Sequence, residues 1–235
     1  AAAHSLGAKR TGDLLLSRLA ENEGVLLKAC ELLTAAMRGN RAGAPAGEWL
    51  LDNFHLIEEQ IRAARRHLPG DYSRELPRLG SGPSAGLPRV YDIAQETISH
   101  GDGQVDPENF GRFIAAYQSV SALTLGELWA VPIMLRLALI ENLRRVGTRI
   151  IAHRTGRNLA DFWADQMTET AQNDPKSLIL VVADMARSNP PMGSAFVAEL
   201  ARRLQGQSAT LAMPLNWIEQ RLSELGLSIP QLVQS

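Results

Sequence analysis

Five histidines, His4, His55, His67, His100 and His153, are the side chains here best placed by their chemistry for proton transfer or metal binding near neutral pH. They are scattered, and none has a second histidine at metal-ligand spacing. His55 stands beside the apolar stripe of a helical stretch, where a packed or solvent-edge imidazole is the simpler reading than a base. Glu58 and Glu59 point two ways around that helix, so they cannot face one substrate as an acid and a base. Asp184 and Glu199 read as lone carboxylates on helix surfaces. In HGDGQVDPEN, Asp102, Asp106 and Glu108 invite comparison with a calcium loop, but the D-x-[DN]-x-[DN]-G order and a bidentate Glu at the twelfth position are missing. Asp106 before Pro107 reads instead as a helix N-cap with proline at the first helical position. The phosphate-loop, nucleophile-elbow, H-E-x-x-H and G-x-G-x-x-G signatures do not occur. No catalytic residue, cofactor or metal ligand is therefore assigned.

Two further groups could act on a ligand. Arg62, Arg65, Arg66 and His67 cluster at the end of a helix as an anion site, or, more simply, as a solvated face that complements the helix C-terminus. Arg74, Arg78 and Arg89 lie in or beside a long loop and could dock a partner, unless that loop only packs over the core through Leu76, Leu79 and Leu87. The single cysteine, Cys30, excludes an intramolecular disulfide within the chain and reads as a buried small hydrophobe. It fits a reducing compartment without proving one. Trp49, Asp52, Asn53, Arg62, Arg89, Tyr91, Glu127, Trp129, Arg136, Glu141 and Asn142 are the side chains most worth locating. They either touch partners or form buried hydrogen-bond and ion-pair networks that fix helix packing.

The elements that must position these groups are helical. The stretch 124–145, TLGELWAVPIMLRLALIENLRR, opens on a capping box in which Thr124 and Glu127 bond each other's backbone amides. Apolar residues then nearly fill its circumference, which describes a central core helix or a membrane span. Charges at Glu127, Arg136, Glu141, Arg144 and Arg145 interrupt it too often for a span of roughly 20 apolar residues. Arg136 and Glu141 are not four apart, so their partners are expected on other helices. Pro132 should kink the axis near residues 128–132.

Around that helix, residues 11–38 repeat apolar positions every three to four, with Asn22 and Gly24 as a weak point. Residues 48–68 form the cleanest amphipathic helix, with Leu50, Phe54, Ile57, Ile61, Ala64 and Leu68 in one stripe. Residues 70–88 form a long ordered loop with a short turn at 72–76. Helices follow at 90–100 and 107–120, then at 159–167, 176–187, 194–204 and 211–225, with breaks at 156–158 and 188–193. The run Ile179 to Val182 alone looks strand-like, and its flanks are helical. The fold class is all-α, a multi-helix orthogonal or bundle-like domain around a buried central helix. Residues 1–10 are read as unstructured or foreign to the fold, 11–155 as a helical core, and 156–235 as a C-terminal helical extension that could belong to the same domain.

The 235 residues, 45% apolar with a net charge of −1, are enough for one large or two modest domains. Near-neutral charge gives no reason to expect nucleic acid or an anionic membrane as a partner. No long apolar core marks the N-terminus as a signal peptide. The absence of an initiating Met and the helix-like start at IPQLVQS lead us to expect a piece of a longer protein.

Three blocks in order, EWLLDNFHLIEEQIRAARRHLP, then YSRELPRL with GLPRVYDIA, then TLGELWAVPIMLRLALIENLRR, resemble the N-terminal region of bacterial cyclic β-1,2-glucan synthases. The resemblance is dense over 48–145 and looser through Asp174, Pro175 and Trp217. It implies a very large inner-membrane parent that transfers glucose from UDP-glucose to a β-1,2-glucan and cyclises the product. The transferase and membrane domains would lie downstream, with this stretch at the cytoplasmic face. The family's aspartate-rich and Gln-Arg-Trp-type motifs do not occur here, so no catalytic residue carries over. The resemblance implies a non-catalytic helical module that packs against those downstream domains or against a second copy. The alternative is a module that binds sugar or nucleotide-sugar through Trp49, Trp129 or the arginine-bearing loop.

Overall fold

The computed structural model describes residues 5–7, 14–38, 45–68, 72–101, 103–206, 209–224 and 226. The fold is all-α: among the described residues there is no sheet, only two isolated antiparallel bridges. The chain divides into two compact units, Ala1–Thr148 and Arg149–Ser235.

In the first unit, α1 (Leu14–Arg38) packs against α2 (Pro45–Asp52) and α3 (Phe54–His67). The buried stripe of α1 is Leu15, Leu19, Asn22, Leu26, Ala29 and Leu33, an alternation of four and three residues. Asn22 is thus a core position, not the weak point the sequence predicts, and α1 runs unbroken through it and Gly24. The helix predicted over 48–68 is divided at Asn53. Its side-chain amide donates to the Trp49 carbonyl at 2.8 Å, the same carbonyl that its backbone N–H reaches at 3.0 Å. Such local side-chain bonding competes with helix continuation. Leu50, Ile57, Ile61, Ala64 and Leu68 are buried on both sides of the division, so the stripe survives it.

Among its described residues, the loop before α5 (Arg89–His100) contains one short helix, α4 (Tyr72–Glu75). Leu76, Leu79 and Leu87 pin it to the core. Residues 5–7 pair with it through Gly7 N–H to the Arg78 carbonyl at 2.9 Å and Gly80 N–H to the Ser5 carbonyl at 2.7 Å, so this part of the predicted unstructured leader is ordered. Helix α6 (Pro107–Gln118) starts as expected: the Asp106 carboxylate accepts from the amides of Glu108 and Asn109, with Pro107 next.

Helix α7 (Leu125–Asn173) begins in the first unit and ends in the second. It continues through Pro132 and through 156–158, where the sequence predicts a break. Of its glycines, Gly156 is a close-packing position, while Gly147 faces its neighbour at an ordinary contact distance. A Cβ on Gly147 would lie 3.4 Å from Leu26, and one on Gly156 would lie 3.3 Å from the Phe196 backbone nitrogen. Tertiary packing here overrides the roughly 1 kcal/mol helix penalty of each glycine. The helix is also less buried than its apolar sequence implies: Leu125 is 68% and Trp129 76% exposed. Its inner face buries Ala130, Ile133, Met134, Leu137 and Ile140.

The second unit packs the α7 residues Ala160, Trp163, Ala164 and Met167 with residues of α8 (Leu178–Ser188), α9 (Ser194–Leu204) and α10 (Ala212–Glu224). The strand-like run is helical, with Leu178, Val182 and Met185 inward.

Candidate functional site

Among the described residues, the first unit holds buried polar clusters of which two lie on α7. In one, α5 supplies Arg89 and the first turn of α7 supplies Glu127, respectively 3% and 0% exposed. Arg89 forks onto the carboxylate, Nε to Oε1 at 2.9 Å and Nη2 to Oε2 at 2.7 Å. Its remaining donors reach Ser121 Oγ at 2.7 Å and the Ala122 carbonyl at 3.0 Å. The capping box completes the cluster: Glu127 Oε2 accepts from Thr124 N–H at 2.8 Å and Thr124 Oγ1 at 3.0 Å, and Thr124 Oγ1 accepts from Glu127 N–H at 3.2 Å. The guanidinium lies 5.8 Å from the Tyr117 ring centroid. Burial works against the Glu127 carboxylate, yet the bonds from Arg89 and Thr124 outweigh it and hold its pKa below the ordinary range.

The other cluster surrounds Glu141, 3% exposed on α7. Oε1 accepts from Arg18 of α1 at 3.2 Å and from Arg144 Nη2 at 2.9 Å. Burial opposes its charge, but hydrogen bonds from Asn22 and Arg144 and the charge of Arg18 hold its pKa down. Tyr91, 1% exposed, accepts at its hydroxyl from Gln95 at 3.1 Å. Burial first, and the Glu141 charge second, push Tyr91 up to about 12. Asn142 is half-buried beside Gly103, where a Cβ would come within 3.1 Å of its amide nitrogen.

These arrangements join helices, and their residues line neither of the clefts described below. Arg78, like Arg89, is turned inward, donating to the carbonyls of Gly86 at 2.8 Å and Ser73 at 3.1 Å. The loop arginines thus hold their own unit together, while the Arg74 side chain lies outside the described residues. Arg62 is exposed and forms no ion pair among the described residues, and Arg65 pairs with Glu23 of α1. Trp49 and Asp52 are exposed at the end of α2, and Asn53 marks the α2–α3 division. Arg136 is half-buried and, against expectation, has no charge partner on another helix among the described residues. Cys30 is buried, and burial, then the Glu58 charge, push its thiol up to about 11.

Sequence reasoning missed the partners Arg18, Asn22 and Ser121. Asn22 carried a signal, being the one polar residue in the buried stripe of α1. It also misjudged Glu199, which is buried, not at the surface, and pairs with Arg202 of α9 and with Arg157 of α7 at 3.3 Å. Arg203 links α9 to Asp161 at 3.1 Å and to Asp165.

Clefts among the described residues include one in each unit. One, of about 460 Å³ in the first unit, is lined by residues including Glu96, His100, Asn109, Phe110 and Phe113. Its His100 and Glu96 meet each other at 3.3 Å, and its Asp106 is engaged as a helix cap. The other, of about 290 Å³ in the second unit, includes Trp217, Arg221 and Glu224, the last two paired at 2.8 Å. In the second cleft the two charged groups neutralise each other within α10.

No family model matches the chain. Over 218 residues, 92% of its length, it is 33% identical to the cyclic beta-(1,2)-glucan synthase NdvB of Rhizobium meliloti (strain 1021). The resemblance drawn from the three sequence blocks is thereby borne out. The chain spans 7% of the length of that relative. Among the described residues, no helix is long and apolar enough to cross a membrane.

Proposed function

We propose that this chain is a non-catalytic helical module of a cyclic β-1,2-glucan synthase, placed at its N-terminus on the cytoplasmic face of the bacterial inner membrane. Its role is to pack against, and support the assembly of, the downstream transferase and membrane domains of the same polypeptide. The observation that carries this reading is the 33% identity along almost the whole chain to a small part of such an enzyme. The internal use of the buried charges supports it. Arg89, Glu127, Arg78, Glu141 and Glu199 all bond to neighbours within their own unit, as suits a preformed block. The test is a deletion of residues 11–225 from the full synthase. Loss of assembly or of glucan synthesis is expected, and full activity with normal assembly contradicts the role.

A second reading, binding of sugar or nucleotide-sugar, is favoured by the exposed indoles of Trp49 and Trp129, at 52% and 76%. It is weakened by the inward turn of Arg78 and Arg89, which leaves those cations unavailable to a diphosphate. Titration calorimetry with UDP-glucose and with β-1,2-glucan oligomers tests it; absence of heat and of any thermal shift removes it.

A further inference from the structure

We infer that an outward stripe at the start of α7, made of Leu125, Trp129, Pro132 and Arg136, is the surface by which the first unit docks onto another part of the same, longer polypeptide, onto an apolar patch that carries a carboxylate. The inference deepens the module reading proposed above and rests on it. The four residues are spaced four, three and four apart, which puts them on one helix face. That face is the opposite of a core face in solvent contact but not in composition. Trp129 is 76% and Leu125 68% exposed, Pro132 is exposed, and only then does a charge appear. Large apolar side chains exposed in a contiguous row mark interaction sites.

Arg136 gives the stripe its polarity. Arg18, Arg89, Arg144, Arg157 and Arg203 are each paired with a carboxylate, whereas half-buried Arg136 has none among the described residues. A guanidinium at the end of an apolar row, with its donors unused, is complementary to an apolar surface bearing an acidic group. The size of the stripe selects the source. Four side chains cover far less than the roughly 800 Å² per partner of a stable complex between separate proteins. A second copy is therefore poorly served by it. A tethered domain is well served, because linkage replaces a bimolecular encounter with a high effective concentration. The chain spans only 7% of the length of its relative, so polypeptide to provide such a surface is abundant there.

The test is cysteine accessibility in the full native polypeptide, with maleimide modification at each site read by mass spectrometry. Trp129→Cys is compared with Glu59→Cys and Glu108→Cys, exposed positions on α3 and α6. We expect Trp129→Cys to label at least tenfold more slowly than both controls in the native protein, and at the same rate after urea unfolding. Adding Arg136→Glu is expected to raise its labelling at least threefold. Labelling within twofold of the controls overturns the inference. So does protection accompanied by disulfide formation between differently tagged copies, which assigns the stripe to a second copy, and protection that vanishes in detergent, which assigns it to lipid. Unchanged protection with Arg136→Glu overturns the acidic partner. A native polypeptide no larger than this chain ends the module reading itself, whereas an unprotected Trp129 in a very large polypeptide ends only the docking surface.

Discussion

Replacing Arg89 by Met should unfold the first unit far more easily, and the size of the effect follows from what remains. The Glu127 carboxylate has no exposure and accepts four bonds, two of them from Arg89 at 2.9 and 2.7 Å. Arg89→Met keeps the two Thr124 bonds but leaves a buried anion without its counter-charge, and it orphans Ser121 and the Ala122 carbonyl. Removing one partner of a buried pair typically costs about 3–5 kcal/mol, and that is the loss expected here. Most of it is the penalty on the abandoned carboxylate. The double variant Arg89→Met, Glu127→Leu removes that penalty and should be more stable than Arg89→Met alone, although it still loses a cap worth about 1 kcal/mol. Hydrogen exchange in increasing urea, read by mass spectrometry over peptides from α5 and the start of α7, separates this unit from the second. A loss below about 1 kcal/mol for Arg89→Met, or a double variant as unstable as the sum of the singles, refutes the reasoning.

Four further outcomes are expected. Glu127 and Glu141 have depressed folded pKa values, so their contribution is present above the unfolded carboxyl pKa of about 4.3 and is lost as pH falls through the lower folded values; Glu127→Gln or Glu141→Gln should flatten the dependence of the urea midpoint on pH in that acid range, and an unchanged slope contradicts this. Gly147→Ala should stabilise by up to about 1 kcal/mol, because its Cβ meets Leu26 at an ordinary 3.4 Å, and should gain more than Gly156→Ala, whose Cβ presses on backbone at 3.3 Å; thermal midpoints in the reverse order count against the packing. Asp106→Ala should cost about 1 kcal/mol by leaving two amides of α6 uncapped, visible as faster exchange confined to its first turn. Cys30, its thiol pushed up to about 11 and buried, should resist a thiol reagent at pH 8 in the native protein and react at once in denaturant.

What could be read from the sequence was local. The capping box of Thr124 and Glu127 and the Asp106–Pro107 start depend on residues three apart or fewer, and both form as the residue types dictate. Apolar stripes were equally legible, since Ile57, Ile61, Ala64 and Leu68 bury themselves whether or not Asn53 interrupts the helix. Pairings between distant elements were not. Glu141 meets Arg18 across 123 positions, and no spacing rule links them. Glu199 looked like a surface carboxylate because its partner Arg157 lies in a stretch that the glycine at 156 seemed to break. Glycine there signals a close approach to Phe196, a tertiary cause that propensity cannot carry. The apolar richness of 124–145 overstated its burial for a related reason: composition counts Leu125 and Trp129 as core, while the fold leaves both exposed.

The most direct test of the central claim is the size and location of the native polypeptide, found with an antibody raised against this chain on fractionated cells. The module reading predicts a band more than ten times the 25.6 kDa of this chain, as the 7% share of the relative implies, and expects it in the inner-membrane fraction. A soluble band near 26 kDa would contradict it and leave the helical protein to act alone.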